Sequence, residues 1–211
     1  MNVQEATTRR LPDLKERHLP ENCRETINTI LKETYGYEQF RNLEIYDDLS
    51  KGKEKLCISQ GQLIENVILE AEKAWKGETQ VDNILLTAPT GSGKSLLFQL
   101  PAIYLGKEYN LLTIVVSPLK ALIVDQVESL QELGYMRVAY ASSDLSPEQK
   151  MEVYRQVREG EIDLFYLSPE LLLSYDIKHF VGERRIGLVV VDEAHTVTTW
   201  GKEFRVDYWF L

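Results

Sequence analysis

A chain of 211 residues, 44% of them hydrophobic, is long enough for one sizeable domain with a small appendage and apolar enough to bury a core. Its 24 basic and 33 acidic side chains leave a formal charge of −9, and neither half is basic. Any grip on nucleic acid through a global positive field is thereby excluded, leaving only a local surface that would bind weakly and with strong salt dependence. Cys23 and Cys57 stand far apart, with no Cys-x-x-Cys and no clustered histidines, so neither a zinc site nor a disulfide framework is expected and free thiols in a reducing cytosol fit best. The first ten residues are polar and no apolar run approaches the roughly 18 residues of a membrane span. The expectation is a soluble, cytoplasmic chain with no membrane partner.

Residues 1–19 are polar and aperiodic. Pro20-Glu21 then opens a helical pattern with Cys23, Ile27, Ile30 and Leu31 on one face, closed by Gly36. After Tyr37 to Arg41 comes a charged stretch, 42–59, followed by a second helical pattern with Leu63, Ile64, Val67, Ile68, Ala71 and Trp75 inward. This divides the chain into an N-terminal helical or irregular segment, 1–60, that braces the rest, and a main domain, 61–211.

Ile84-Leu85-Leu86 reads as a buried strand. It runs into Ala88-Pro89-Thr90-Gly91-Ser92-Gly93-Lys94-Ser95 and then the helical pattern Leu96-Leu97-Phe98-Leu100. Strand, glycine-rich loop and helix in that order form a phosphate cradle. Gly91 and Gly93 let backbone N–H groups of Thr90 to Gly93 curl round a phosphate, and the helix directs its positive dipole end at the same anion. Lys94 would reach the β and γ phosphates of ATP, and the Ser95 hydroxyl would sit on Mg2+. Ala88 replaces the glycine that opens the strict pattern, away from the glycines nearest the phosphates.

Apolar runs at 112–116, 136–141, 162–167 and 186–191 alternate with helical stretches, one of them opened by a Ser146 to Gln149 capping-box spacing. Continuous apolar strands separated by helices predict an α/β fold, a parallel sheet with helices on both faces. The carboxyl ends of such strands carry the ligands. The last run ends in Asp192-Glu193-Ala194-His195. There Asp192 would hold Mg2+ through a water, Glu193 would orient and deprotonate an attacking water, and His195 would serve coupling. Ser117-Pro118-Leu119-Lys120 and Ser168-Pro169-Glu170-Leu171 fall on the same rim; each is either a turn that starts a helix or a ligand contact.

In this order the pieces resemble the first RecA-like phosphate-loop lobe of a superfamily 2 helicase, and specifically the RecQ family of DNA helicases. The resemblance rests on Asp192-Glu193-Ala194-His195 followed by Trp200-Gly201-Lys202-Glu203-Phe204-Arg205. It rests also on Val116-Ser117-Pro118-Leu119 with Asp125-Gln126-Val127, on Tyr166 to Leu171, and on Gly36-Tyr37 with Phe40-Arg41. It implies an ATP-dependent helicase or translocase with ATP and Mg2+ as cofactors and single-stranded or partly duplex DNA as partner, serving DNA repair or recombination. Trp200 and Phe204 would stack on or sense bases, Arg205 would link that loop to the nucleotide, and Ser117, Lys120 and Ser168 would touch the phosphate backbone. Trp200, Phe204 and Tyr208 also fit one face of a packed helix, and Lys202 stands where the family often has His.

Around adenine the chain departs from the family, which places Gln three residues after Phe-Arg where this chain has Glu44. A carboxylate cannot donate to adenine N7. Gln62 is the candidate instead, with Tyr37 and Arg41 flanking the base and 42–59 as an insertion; Glu44, or neither residue, stays open. The sequence ends before the family's Ser-Ala-Thr segment and its second lobe. The expectation is therefore half a motor with little or no turnover alone, completed by a second RecA-like lobe in a longer polypeptide or a partner, and with an unpaired sheet edge. Two rival readings remain: an RNA helicase of the same superfamily, and a subunit that binds ATP or nucleic acid without turnover.

Overall fold

The computed structural model describes residues 19–46, 55–86 and 91–193. Helix α1 (Glu25–Tyr35) buries Ile27, Ile30 and Leu31, and starts later than its Pro20-Glu21 signal. Within the charged stretch after Arg41, β1 (Asn42–Tyr46) and β2 (Lys55–Ser59) pair antiparallel, Asn42 opposite Ser59. Helix α2 (Gln60–Trp75) begins with a full capping box between Ser59 and Gln62 and buries Leu63, Ile64, Ile68 and Ala71. Trp75, expected inward, is exposed and leans on Tyr109 with ring centroids 4.9 Å apart.

The run Ile84–Leu86 was expected as a sheet strand, and the described segment 81–86 is not one. Two residues before it, the Asp82 N–H donates to the Glu70 carboxylate of α2 at 2.9 Å. Leu85 is largely exposed, and a cavity of about 800 Å³ lies between this segment, α2 and the last strand.

Beyond the glycine-rich loop, α3 (Leu96–Tyr109) is buried along nearly its whole length, which explains its absence of an amphipathic pattern. The rest alternates as expected: β3 (Leu112–Val116), α4 (Lys120–Glu132), β4 (Val138–Ala141), α5 (Pro147–Arg158), β5 (Leu164–Leu167), the short α6 (Pro169–Ser174) and α7 (Ile177–Val181), then β6 (Ile186–Val191). Helix α5 carries the Ser146–Gln149 capping box. The sheet is parallel throughout, in the order β4-β5-β3-β6. Among the described residues β6 is an edge.

Strand residues alternate between two cores, as a period of two demands. Val115, Leu164 and Tyr166 pack with α1 to α4, whereas Ile114, Val116, Phe165 and Leu167 pack with α5 and α7. Helices thus cover both faces. Two ionic clamps secure the frame. Arg24 bridges Glu65 (2.6 Å) and Glu72 (2.7 Å) on α2 and lies over the Tyr104 ring, tying the N-terminal segment to the main core. Asp163, fully buried, accepts from Arg137, Arg184 and Tyr135 at 2.6, 3.0 and 3.0 Å.

Register positions the rim. Val116 pairs with both Leu167 and Val191, so the next residues, Ser117, Ser168 and Asp192, emerge side by side. The Ser117 N–H donates to Leu167 O at 3.1 Å and the Asp192 N–H to Val116 O at 2.9 Å, which extends the ladder into the rim.

Candidate functional site

The described part of the glycine-rich loop begins at Gly91. Thr90 lies outside the described residues, as do His195, Trp200, Phe204 and Arg205. Gly91 and Gly93 both take φ near +80°, a left-handed conformation that costs a residue with Cβ about 1–2 kcal/mol. The loop then winds into α3: Leu96 N–H bonds Gly93 O, Leu97 N–H bonds Lys94 O and Gln99 N–H bonds Ser95 O. Lys94 and Ser95 are half-buried at this turn. The Ser92 hydroxyl is buried without a protein partner among the described residues.

The polar group that organises the loop is Gln60, which the sequence reading passed over. Its Nε2 donates to Ser92 O at 3.1 Å and Gly93 O at 3.4 Å, while its Oε1 accepts the Arg41 N–H at 3.1 Å. One buried amide thus joins the Phe40-Arg41 segment to the phosphate cradle. Gln62 is turned elsewhere: its Oε1 accepts the Ser59 N–H at 3.0 Å and its Nε2 donates to Pro20 O at 3.1 Å. In this structure the Gln62 amide, the adenine candidate, is engaged in helix capping. The signal was available, because Ser59-x-x-Gln62 has the same capping-box spacing that was read at Ser146 and Gln149. Tyr37 is half exposed and stacks on Tyr35 with centroids 6.3 Å apart; Arg41 and Glu44 are exposed.

Asp192 follows β6 directly, and Glu193 after it takes a left-handed turn, φ 51°. A non-glycine residue there stores local strain of about 1–3 kcal/mol. The turn is held by the Glu193 N–H donating to Asp192 Oδ1 at 3.0 Å. Lys94, Asp192 and Glu193 border the same 800 Å³ cavity. A half-buried carboxylate on a fixed backbone and a hydroxyl at a helix start are hard oxygen donors of the kind Mg2+ takes, so Asp192 and Ser95 fit that ion.

The rim residues differ in access. Ser117 is buried and its hydroxyl has no protein partner among the described residues. Ser168 is also buried, and its Oγ accepts the Leu171 N–H at 3.4 Å as the cap of α6. Lys120 is exposed, bonded to Ser143 and paired with Asp144 at 3.1 Å; that hydrogen bond holds the Asp144 carboxyl below its ordinary pKa. Of these three, Lys120 alone presents an exposed side chain for a phosphate.

A parallel sheet covered by helices on both faces, with Lys94 of the glycine-rich loop and the Asp192-Glu193 turn bordering one cavity, is a RecA-like lobe. The chain belongs to the DEAD/DEAH box helicase family, whose model matches residues 62–209. It is similar to the ATP-dependent DNA helicases RecQ of Haemophilus influenzae (30% identical, covering 87% of this chain and 24% of that protein) and Synechocystis sp. (33%, 88% and 32%). The RecQ helicase of Bacillus subtilis is 32% identical over 85% of this chain and 25% of its own length. The chain spans about a quarter to a third of these relatives. In fold it is similar to the crystal structure of the DUF1998 helicase MrfA bound to DNA and AMPPNP, with a TM-score of 0.51, 22% identity and coverage of 85% of this chain and 22% of that one.

Proposed function

We propose that this chain is the nucleotide-binding lobe of a RecQ-type ATP-dependent DNA helicase or translocase. The observation that carries the reading is the convergence of Lys94, Asp192 and Glu193 on one cavity at the carboxyl rim, in a chain whose relatives are named as RecQ helicases. The N–H groups of Thr90 to Gly93 and the start of α3 hold the phosphates, and Lys94 neutralises charge on the β and γ groups. Ser95 and Asp192 would hold Mg2+, which supplies charge neutralisation across those oxygens. Glu193 orients a water and takes its proton as the water oxygen bonds to the γ phosphorus. The bond to the bridging oxygen breaks, releasing ADP and phosphate.

Gln60 braces this loop through Ser92 O and Gly93 O; Gln62 would read the adenine by giving up its capping bonds, with Tyr37 and Arg41 flanking the base. His195, Trp200, Phe204 and Arg205 contact or sense single-stranded or partly duplex DNA, with Lys120 and the Ser117 and Ser168 turns along its phosphates. A second RecA-like lobe, in the same polypeptide or a partner, closes the cleft. The setting is the cytosol or nucleoid, in DNA repair or recombination.

The test is Mg-ATP binding by calorimetry together with steady-state turnover, titrating matched single-stranded DNA and RNA, with Lys94→Ala and Glu193→Gln as controls. Binding lost in Lys94→Ala supports the reading, as does any DNA-stimulated turnover lost in Glu193→Gln. Stimulation by RNA above DNA would favour the RNA helicase, and a chain that does not bind Mg-ATP would refute the lobe assignment.

A further inference from the structure

Under the rim, on the face covered by α1, α3 and α4, lies a polar network in an otherwise apolar core. Tyr35 Oη donates to Gln99 Oε1 at 3.0 Å, and Gln99 Nε2 donates to Tyr166 Oη at 3.2 Å and Gln126 Oε1 at 3.4 Å. Tyr166 Oη in turn donates to Gln126 Oε1 at 2.9 Å. Tyr166 and Gln99 are buried; Tyr35 and Gln126 are half-buried. Apolar side chains would fill these positions without the risk of stranded polar atoms, so a satisfied network here contributes a fixed relation between elements.

Each member sits beside a different piece of the rim. Gln99 is one turn after Ser95 and bonds its carbonyl through the backbone. Gln126 lies within the helix that begins at Lys120, and Tyr166 is two residues before Ser168 in β5. Tyr35 ends α1, immediately before Gly36-Tyr37. Tyr166 is also close enough to Asp192 that, after burial, the Asp192 charge helps push the phenol above its ordinary pKa. The network therefore lies within or next to the elements that carry Ser95, the two Ser-Pro turns and Tyr37, and within electrostatic reach of Asp192.

We infer that Tyr35, Gln99, Gln126 and Tyr166 are positioning residues that couple the nucleic-acid rim to the nucleotide loop. A strand seated on the Lys120 and Ser168 turns biases α4 and β5, and Gln126 and Tyr166 pass that bias to Gln99 and so to Ser95. The coupling is reciprocal, as linkage requires. This inference rests on the proposed nucleotide lobe, and the experiment separates the two.

The probe is a fluorescent N-methylanthraniloyl ATP with Mg2+, its affinity measured with and without saturating oligothymidylate. In the wild-type chain DNA is expected to tighten nucleotide about fivefold or more, the lower end of ordinary coupling. Tyr166→Phe removes one oxygen and keeps the ring, and Gln126→Leu removes the acceptor. In both, DNA-free affinity should stay within about twofold while the DNA-induced factor falls to near one. Gln126 acts only as an acceptor in these bonds, so Gln126→Glu should restore the factor. That rescue separates positioning from packing even where Gln126→Leu unfolds. A factor unchanged in Tyr166→Phe, or DNA-free affinity lost in parallel with the coupled affinity, overturns the inference and leaves the lobe standing. A wild-type chain indifferent to DNA overturns it too. A wild-type chain that does not bind the nucleotide refutes the lobe reading itself.

Discussion

Gly91 and Gly93 share a left-handed backbone but not an environment, and the difference sets a quantitative test. An ideal Cβ on Gly91 meets nothing within 4 Å among the described residues, whereas one on Gly93 falls 2.7 Å from Gln60 Nε2. Gly91→Ala should therefore cost only the conformational term, about 1–2 kcal/mol. Gly93→Ala carries the same term and also displaces the Gln60 amide, breaking its bonds to Ser92 O and Gly93 O at about 0.5–1.5 kcal/mol each. Its total is thus about 2–5 kcal/mol. Gln60→Ala loses those bonds and the one its Oε1 accepts from the Arg41 N–H, and once the amide is gone the Gly93 methyl has nothing to meet. The double variant Gln60→Ala, Gly93→Ala should then be more stable than the sum of the single losses predicts, by about 1–3 kcal/mol. Urea unfolding of the nucleotide-free chain reads all four variants, and additivity within about 0.5 kcal/mol would refute the assignment of Gln60 to the loop.

Gly106→Ala should destabilise strongly, by about 3–5 kcal/mol in the same assay, because its Cβ would sit 2.3 Å from Asp163 Cγ and break a fully buried, doubly arginine-paired carboxylate; a loss below about 1 kcal/mol would mean the clamp yields freely. Burial pushes the Glu72 carboxyl up, but hydrogen bonds from Arg24, Tyr109 and Tyr104 outweigh it and hold the group below 4.5. A depressed folded-state pKa stabilises above the unfolded value and is lost as pH falls through the folded one. Wild-type stability should accordingly decline below about pH 4.5 more steeply than that of Arg24→Met, and parallel pH profiles would contradict the clamp. Burial, helped by the Glu65 carboxylate, pushes the Cys23 thiol up to about 12, while Cys57 is exposed. Iodoacetamide at pH 8 should alkylate Cys57 well before Cys23, as peptide mass spectrometry would show; equal rates would place Cys23 at the surface.

What could be read from the sequence divides by the range of the interaction involved. Parallel strands are near-continuous apolar runs and the Ser146 box is a local pattern, so β3 to β6 and α5 stand close to where periodicity puts them, with Met136 and Ile162 left just outside their strands. The Gly91 to Ser95 loop and the Asp192-Glu193 turn are likewise legible, because their chemistry demands fixed residue types at fixed spacing. Ile84–Leu86 misled because apolar character states that a segment can enter a sheet, not which acceptors hold the chain beside it; Glu70, twelve residues before Asp82, accepts the Asp82 N–H just upstream. The role of Gln60 was silent for a similar reason. Gln60 and Gln62 are both in the first turn of α2, and only the long-range contact of Gln60 with Ser92 and Gly93 tells them apart.

The same distinction explains why the network under the rim is silent in the sequence. Gln99, Gln126 and Tyr166 are separated by 27 and 40 residues, and each alone is an unremarkable member of a helix or strand. They meet because α3 and α4 pack on one face of the sheet, in which the neighbours of β3, β5 and β6, are set by ladders ending at Leu167 and Val191. A shift of one residue in either ladder would turn Tyr166 to the opposite face of the sheet or draw Asp192 below the rim. The register that aligns Ser117, Ser168 and Asp192 on the rim is therefore the same one that assembles the hydrogen bonds beneath them. Any change that slips β5 against β3 should disturb both together, whereas Tyr166→Phe leaves the register in place and alters only the link between them.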